Sequence, residues 1–305
     1  MNLAESESAL IGIDWGNSSF RAALVCRDGK VLDRIDSDNG ILGVQDGNFE
    51  SVLTGVLAIW SRHLNLPIVL SGMITSRNGW VETPYIDLPA AAMKLAENIK
   101  HIKTEKGLNL HFVSGLATRN NSVPDVVRGE ETQIAGVIAD GVDDCIAIMP
   151  GTHSKWLVLS KGVIEGFATY MTGEIFASLK SHTILGTLMD EGPFCRTAFL
   201  NGVHETECSG TELLHALFAA RSRVLFDELA SAEASDYLSG LLIGAEIRGA
   251  TDIFGKPKRV ILVGKSELSE RYEAALGVFG IYAERANEHV AARGQHAIAI
   301  AGGLI

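Results

Sequence analysis

The chain has 305 residues, 47% of them apolar and 21% charged, with a formal net charge of −11 at neutral pH. That length buries a full core and favours two domains. The acidic balance excludes a general nucleic-acid binder, which needs clustered Lys and Arg for phosphate contacts. No apolar run approaches the roughly 20 residues of a membrane span, and the start Met1-Asn-Leu-Ala-Glu-Ser-Glu-Ser8 lacks the basic and apolar parts of a secretion signal. A cytoplasmic protein with no nucleic-acid or membrane partner is therefore expected. The four cysteines (Cys26, Cys145, Cys195, Cys208) make no C-x-x-C pair and no zinc spacing, which fits reduced thiols.

In chain order, residues 9–13, 21–26 and 31–37 read as three strands. The first turn between them carries Asp14, Gly16, Asn17, Ser18 and Ser19, and the second holds Asp28-Gly29, a hairpin signal. Phe49, Val52, Leu53, Val56, Leu57, Trp60 and Leu64 recur at helical spacing, which predicts an amphipathic helix against a sheet. Residues 67–71 follow as a buried strand and run into the loop Gly72-Met73-Ile-Thr-Ser76-Arg77-Asn-Gly79-Trp80. Ligands tend to sit in such loops, at the carboxyl ends of strands in α/β sheets. A helix at 90–100 and a strand at 110–114 close this half. The polar run 117–125, broken by Pro124, reads as a loop, and sets a domain boundary that divides the chain into 1–122 and 123–305.

The second half opens with a helix over 130–139 and then repeats the pattern of the first. The strand Cys145-Ile-Ala-Ile-Met149 turns at Pro150-Gly151-Thr152-His153-Ser154 into a strand over 155–159, and Ser160-Lys-Gly162 leads to a third at Val163. Glycine permits close backbone approach, and successive turn N–H groups form a concavity that attracts anions. Two like strand–turn–strand–turn–strand units imply an internal duplication, with both turns offered to one ligand. Helices are predicted at 212–229 and 236–250, the latter with Gly240 and Gly244 one turn apart for close packing on the sheet. Val260-Ile-Leu-Val263 is a buried strand ended by Gly264. A helix at 268–279, a strand near 281–283 and a final Ala/Ile/Gly-rich helix, marked at its end by Gly302-Gly303, complete the chain. Strands alternating with helices in two halves predict a duplicated α/β fold with a cleft between the halves.

Several common signatures are missing. Gly264-Lys265-Ser266 ends like a P-loop, but Arg259 stands where the leading glycine belongs. No G-x-G-x-x-G, G-x-S-x-G or H-E-x-x-H occurs, which removes the dinucleotide, nucleophile-elbow and zinc-protease readings.

The paired turns do resemble the phosphate loops of the actin-like ATPase and sugar-kinase superfamily, built from two ribonuclease-H-like domains. Asp14-x-Gly16-Asn17-x-Ser19-x-Arg21 is similar to its D-x-G-T-x-S-x-R loop; Asn17 replaces threonine, and an amide also donates to phosphate. Five further blocks narrow the resemblance: Arg128-Gly-Glu-Glu-Thr-Gln133, Met149-Pro-Gly-Thr-His-Ser-Lys-Trp156, Met171-Thr-Gly-Glu174, 238–246 and 262–272. With the loop Gly72-Met-x-x-Ser-x-x-Gly-Trp80, they are similar to the 2-dehydro-3-deoxygalactonokinase family over nearly the whole chain. The resemblance implies ATP-dependent phosphorylation of the C6 hydroxyl of 2-dehydro-3-deoxygalactonate, with Mg2+, in galactonate breakdown.

By the same resemblance Asp14 holds Mg2+ through water and Arg21 faces the γ-phosphate. A hard cation that keeps several waters needs no more than one carboxylate. Gly151, Thr152, His153 and Ser154 would wrap the β- and γ-phosphates opposite Gly16, Asn17, Ser18 and Ser19. Lys155 either points to phosphate or lies on the far face of its strand. The acceptor hydroxyl needs a carboxylate to take its proton; Glu130 is preferred over Glu131, and both also suit a helix start through the dipole. Arg128 or Arg77 would bind the substrate carboxylate, Gly72, Met73, Ser76, Gly79 and Trp80 would line the sugar-acid pocket, and Glu174 would reach a sugar hydroxyl or a water. Gly264, with Lys265 and Ser266 beside it, leaves room for the adenine. Two alternatives stand beside this reading: a kinase of another sugar on the same fold, and a non-catalytic actin-like sensor. A homodimer is compatible with the sequence.

Overall fold

Strand β1 (Ser8–Trp15) buries Leu10, Ile11, Ile13 and Trp15 completely, a near-continuous apolar run of the kind covered on both faces. It pairs antiparallel with β2 (Phe20–Cys26), which pairs with β3 (Val31–Ser37); Asp14 lies opposite Arg21, and Arg21 opposite Asp36. The computed structural model describes residues 8–120, 123–207 and 212–305. Cys208, the first seven residues of the acidic start and the Asn121-Ser122 step of the polar run lie outside the described residues.

The helix expected at 49–64 is α1 (Phe49–Val56), continued by a 3-10 stretch over 57–63 in which the Trp60 Nε1–H donates to Asp33 at 2.8 Å. Next come β4 (Ile68–Ser71), β5 (Ile86–Asp87), α2 (Ala92–Glu97), β6 (Lys100–Lys103) and β7 (Asn109–Phe112). The predicted 90–100 helix is thus shorter, and its end already belongs to β6. The run 117–125 is not a loop but a hairpin of β8 (Leu116–Asn120) and β9 (Val123–Val127). Pro124 is tolerated because β9 is the edge of the small β5-β8-β9 sheet, where no partner needs its missing N–H. Helix α3 (Glu130–Ala139) matches its prediction.

The second meander is β10 (Cys145–Met149), β11 (Ser154–Ser160) and β12 (Val163–Tyr170). It is followed by α4 (Thr172–His182), α5 (Arg196–Glu207), α6 (Leu213–Leu225), α7 (Ala234–Phe254), β13 (Val260–Leu262), α8 (Ser266–Val278), β14 (Ala283–Arg285) and α9 (Val290–Ala301). The sheet orders are β3-β2-β1-β4-β7-β6 and β12-β11-β10-β13-β14. In each, the meander's first strand pairs parallel with the next strand inward. This repeat carries the duplication read in the sequence, and the fold is the α/β, actin-like ATPase type with two ribonuclease-H-like sheets.

Two compact units divide the chain: Met1–Asp144 with Leu159–Gly166 and Asn287–Ile305, and Cys145–Val158 with Phe167–Ala286. The division differs from 122/123, because 123–144 and α9 belong with the first unit. There α3 and α9 cross at glycines: a Cβ on Gly136 would lie 1.8 Å from the Val290 carbonyl oxygen, and one on Gly294 1.8 Å from that of Thr132. In the second unit Gly240 and Gly244 serve a similar crossing. They pack on α5, against Phe199 and Thr206, rather than on the sheet as expected.

Candidate active site

In the first unit, Asp14 is the last residue but one of β1, and the chain turns through the 16–19 corner into β2. The turn is tied by the Gly16 N–H to the Ser19 carbonyl (2.8 Å), and Gly40 packs so tightly on it that a Cβ would meet the Asn17 carbonyl oxygen at 2.1 Å. Asn17 and Ser18 are exposed. Asp14 has 16% of its side chain exposed and lies 3.5 Å from the Arg21 guanidinium. Two glycines crowd it: a Cβ on Gly72 (φ +90°) would meet its Oδ1 at 3.0 Å, and one on Gly129 (φ +107°) would meet Gly72 Cα at 3.1 Å. Side chains are excluded from both positions by space and by backbone conformation.

Gly129 leads into α3, whose first residues are Glu130 and Glu131. Glu130 Oε2 accepts the Arg128 N–H at 2.8 Å and remains half-buried. Glu131 is fully buried and accepts from the Gly129 N–H (2.7 Å) and the Thr132 hydroxyl (3.0 Å). Burial pushes the Asp14 carboxyl up to about 6; Arg21 opposes this, the charge of Glu130 adds to it, and a hydrogen bond from Gln133 lowers it. Burial and the neighbouring Glu130 push Glu131 to about 7. Glu130 is therefore the carboxylate of the pair open to a ligand, and Asp14 is a carboxylate short of positive charge. Among the described residues no set of three His, Cys, Asp or Glu side chains gathers as a metal cage. One under-compensated carboxylate suits Mg2+, which takes its remaining ligands from water and phosphate.

Other predicted residues of this unit are engaged with protein. The Arg128 Nη1 donates to the Thr75 carbonyl (2.6 Å), the Thr75 hydroxyl (2.7 Å) and the Thr83 hydroxyl (2.8 Å), and Nη2 to the Thr83 carbonyl (3.0 Å). Its guanidinium also lies 4.3 Å from the centre of the Tyr85 ring. These contacts correct its assignment to the substrate carboxylate: Arg128 staples the loop after β4. Arg77 is 87% exposed, and among the described residues its ion pair is with Glu82 at 3.6 Å. Trp80, half-buried, stacks on Phe49 at 6.1 Å and abuts Phe112, so one side of its ring packs against the core. The Ser76 hydroxyl closes onto the Met73 carbonyl within the loop (2.7 Å), and Met73 packs against the same core.

In the second unit the 151–154 corner exposes Thr152 and His153, while Ser154 and Lys155 are buried. The Lys155 ammonium donates to Thr169 at 3.0 Å, which places it on the neighbouring strand β12. The Ser154 hydroxyl turns inward to Glu246 (2.7 Å), away from the corner's open side. His153 Nε2 pairs with Glu174 on the first turn of α4. Gly151, Thr172, Gly173, Lys265, Phe194 and Arg271 help line a cavity of about 430 Å3. Arg271 stacks on Phe194 at 4.3 Å and pairs with Asp236 at 3.1 Å. Gly264 lies against Pro150 at the mouth of α8, next to Lys265 and Ser266. Sequence reading missed Phe194, Arg271 and Gln133. Only Gln133 left a signal, three residues after Glu130 and hence on the same helix face.

A family model described as 2-keto-3-deoxy-galactonokinase matches residues 14–298. The chain belongs to the 2-keto-3-deoxy-galactonokinase family. The matched span includes every residue of both glycine corners and of the Asp14–Glu130 cluster. As a member of the 2-keto-3-deoxy-galactonokinase family, the chain is 38% identical over 273 residues to the "Probable 2-dehydro-3-deoxygalactonokinase" of Rhizobium meliloti (strain 1021), covering 88% of this chain and 89% of that one. It is 32% identical over 270 residues to the 2-dehydro-3-deoxygalactonokinase of Escherichia coli (strain K12), covering 88% and 90%. Among solved structures, a "putative 2-dehydro-3-deoxygalactonokinase protein" from Sinorhizobium meliloti superimposes with a TM-score of 0.88 at 37% identity, over 95% of this chain and 98% of that one. The activator of the 2-hydroxyisocaproyl-CoA dehydratase from Clostridium difficile, solved with ADPNP, shares the fold (TM-score 0.52, 12% identity, 96% of each chain).

Proposed function

We propose that this protein is an ATP-dependent kinase that phosphorylates the C6 hydroxyl of 2-dehydro-3-deoxy-D-galactonate. The observation that carries the reading is the family match over residues 14–298, whose span holds a carboxylate cluster suited to phosphoryl transfer. Such transfer depends on positioning and charge stabilisation more than on a protein nucleophile. Glu130, half-buried beside the raised carboxyl of Asp14, takes the proton of the C6 hydroxyl as that oxygen bonds to the γ-phosphorus and the bond to the β-phosphate oxygen breaks. Asp14, with Gln133 and Arg21 fixing its orientation, would hold Mg2+, which would supply positive charge to the phosphate oxygens. Arg21, opposite Asp14 and Asp36 in the strand register, faces the γ-phosphate in this reading.

The reading assigns the phosphate-1 corner at Gly16, Asn17, Ser18 and Ser19, and the sugar-acid loop 72–80, to the N-terminal part of the chain. The phosphate-2 corner at Gly151, Thr152 and His153, and the adenosine site, fall to the C-terminal part. It requires both corners to hold one polyphosphate. The cavity beside Gly151 and Lys265, with the Phe194–Arg271 plate, has the size and the flat wall an adenosine needs. Arg77, the exposed arginine of the loop, binds the acceptor's carboxylate, and Glu174 orients His153 toward phosphate. The cytoplasm is the compartment in which ATP and the sugar acid meet. A coupled ATP-consumption assay across a panel of 2-dehydro-3-deoxy sugar acids tests the proposal: turnover is expected with the galactonate derivative, Mg2+ and ATP. Turnover confined to another acceptor, or none with any, would refute it.

A further inference from the structure

Four of the sequence blocks contribute residues that the reaction above leaves without a role: Ser154 with Trp156, Thr172, Glu246 and Tyr272. In the second unit these residues meet. Glu246, on α7, is 3% exposed. Its Oε1 accepts from the Ser154 hydroxyl (2.7 Å) and the Trp156 Nε1–H (2.8 Å). Its Oε2 accepts from the Tyr272 hydroxyl (2.6 Å) and from the Thr172 hydroxyl. The Tyr272 hydroxyl is also 3.3 Å from Ser154 Oγ. A carboxylate has about four lone-pair sites, and here neutral donors from β11, α4 and α8 fill all of them. Burial pushes its pKa up and these bonds pull it down; the ionised form is the one that can accept from every neighbour at once.

Two of the donors, Ser154 and Thr172, stand at the ends of two neighbouring pieces of chain. Ser154 closes the 151–154 corner, and Thr172 opens α4. Between them, Gly173 packs so closely that a Cβ would lie 2.5 Å from the Gly151 carbonyl oxygen and 2.8 Å from Thr152 Cα. The Glu174 N–H donates to the Thr152 carbonyl at 3.0 Å, and the Glu174 carboxylate pairs with His153. Gly151, Thr172 and Gly173 all line the 430 Å3 cavity. The corner and the first turn of α4 therefore share one wall, latched through Glu174 on the exposed side and through Glu246 on the buried side.

We propose that Glu246 is a positioning residue: touching no nucleotide, it locks the 151–154 corner to the first turn of α4 and so sets the affinity for the polyphosphate of ATP. The inference rests on reading that corner as a phosphate site. Buried polar networks of this kind are rigid when every member is satisfied and fail as a unit when one is not.

The experiment is calorimetric titration of a non-hydrolysable ATP analogue with Mg2+ into wild type and E246Q, beside steady-state kinetics. The glutamine keeps the shape and its oxygen can still accept from Ser154 and Trp156, but its amide nitrogen cannot accept from the Thr172 and Tyr272 hydroxyls, so the tie to the first turn of α4 is lost. E246Q is expected to fold, to bind the analogue about tenfold more weakly and to raise the ATP KM by a like factor. The acceptor KM should stay within about twofold. V203A, which thins the core at α5, should lower the melting temperature without weakening the analogue. E246Q binding the analogue as wild type does, or raising both KM values together, would overturn the inference. Should E246Q not fold, Y272F removes the Tyr272 bonds to Glu246 and Ser154, and W156F the Trp156 bond to Glu246; roughly threefold weaker binding supports the inference, and unchanged binding overturns it. A wild-type chain that does not bind the analogue overturns the nucleotide reading itself and this inference with it.

Discussion

Replacing Asp14 with asparagine should stabilise the metal-free protein while abolishing its turnover. Burial holds the Asp14 carboxyl at about 6 in the folded chain, against 3.8 for an ordinary aspartate. The native state therefore binds that proton more tightly than the unfolded state does, and the charged form is the unfavourable one. At about 1.4 kcal/mol per pH unit, the interval from 3.8 to about 6 costs the folded protein about 3 kcal/mol once Asp14 is ionised. The cost is absent below pH 4, grows between pH 4 and 6, and is complete above 6. In D14N the amide keeps a bond to Gln133 and relieves the repulsion with Glu130. Losing the ion pair to Arg21 matters little, because that side chain is 47% exposed and 3.5 Å away. Denaturant unfolding in EDTA at pH 4 and pH 7 reads the difference directly. D14N should match wild type at pH 4 and exceed it by about 2–3 kcal/mol at pH 7. Equal or lower stability at pH 7, or a gain as large at pH 4, would refute the reasoning. A site residue whose loss stabilises the fold is the usual signature of function held against stability.

Further predictions follow from the same geometry. E130Q should lower kcat by roughly a thousandfold with analogue affinity unchanged; near-normal turnover would remove Glu130 as the base. G136A adds a methyl where the Val290 carbonyl oxygen is 1.8 Å away, so the α3–α9 crossing must open. A melting temperature lower by roughly 10 °C is expected from such overpacking, and an unshifted one would contradict the close crossing. R77A should leave the melting temperature alone and raise the acceptor KM about tenfold, through loss of a charge-assisted contact. R128A, by contrast, frees Thr75 and Thr83 and should lower the melting temperature; the reverse assignment of the two arginines would show the opposite split.

Much of the fold was legible because its signals are local. The paired meanders, Asp28-Gly29, and the apolar strands at 68–71 and 260–262 announce themselves through short-range pattern alone. The β8–β9 hairpin did not, since Arg119, Val123, Pro124 and Val126 are exposed and Pro124 argues against any strand except an edge one. Helix α4 was missed because none of its residues is fully buried; Phe176 and Leu179 pack half-buried against the core, a pair too short to read as a stripe. Within the site, glycine corners and carboxylates at element ends were visible as residue types. What a sequence cannot display is the direction of a side chain among long-range neighbours. Arg128 and Arg77 look equivalent in the chain, yet one is bonded to Thr75 and Thr83, 53 and 45 residues away, and the other is open to solvent. Ser154 and Glu246 are separated by 92 residues and meet only in the folded unit.

The most direct test of the account is a crystal structure of this protein with a non-hydrolysable ATP analogue and Mg2+. The triphosphate should contact both glycine corners, at Gly16–Asn17 and at Gly151–Thr152, with the ion beside Asp14 and the base against Phe194 and Arg271. A nucleotide touching only one corner, or seated away from Asp14, would contradict it.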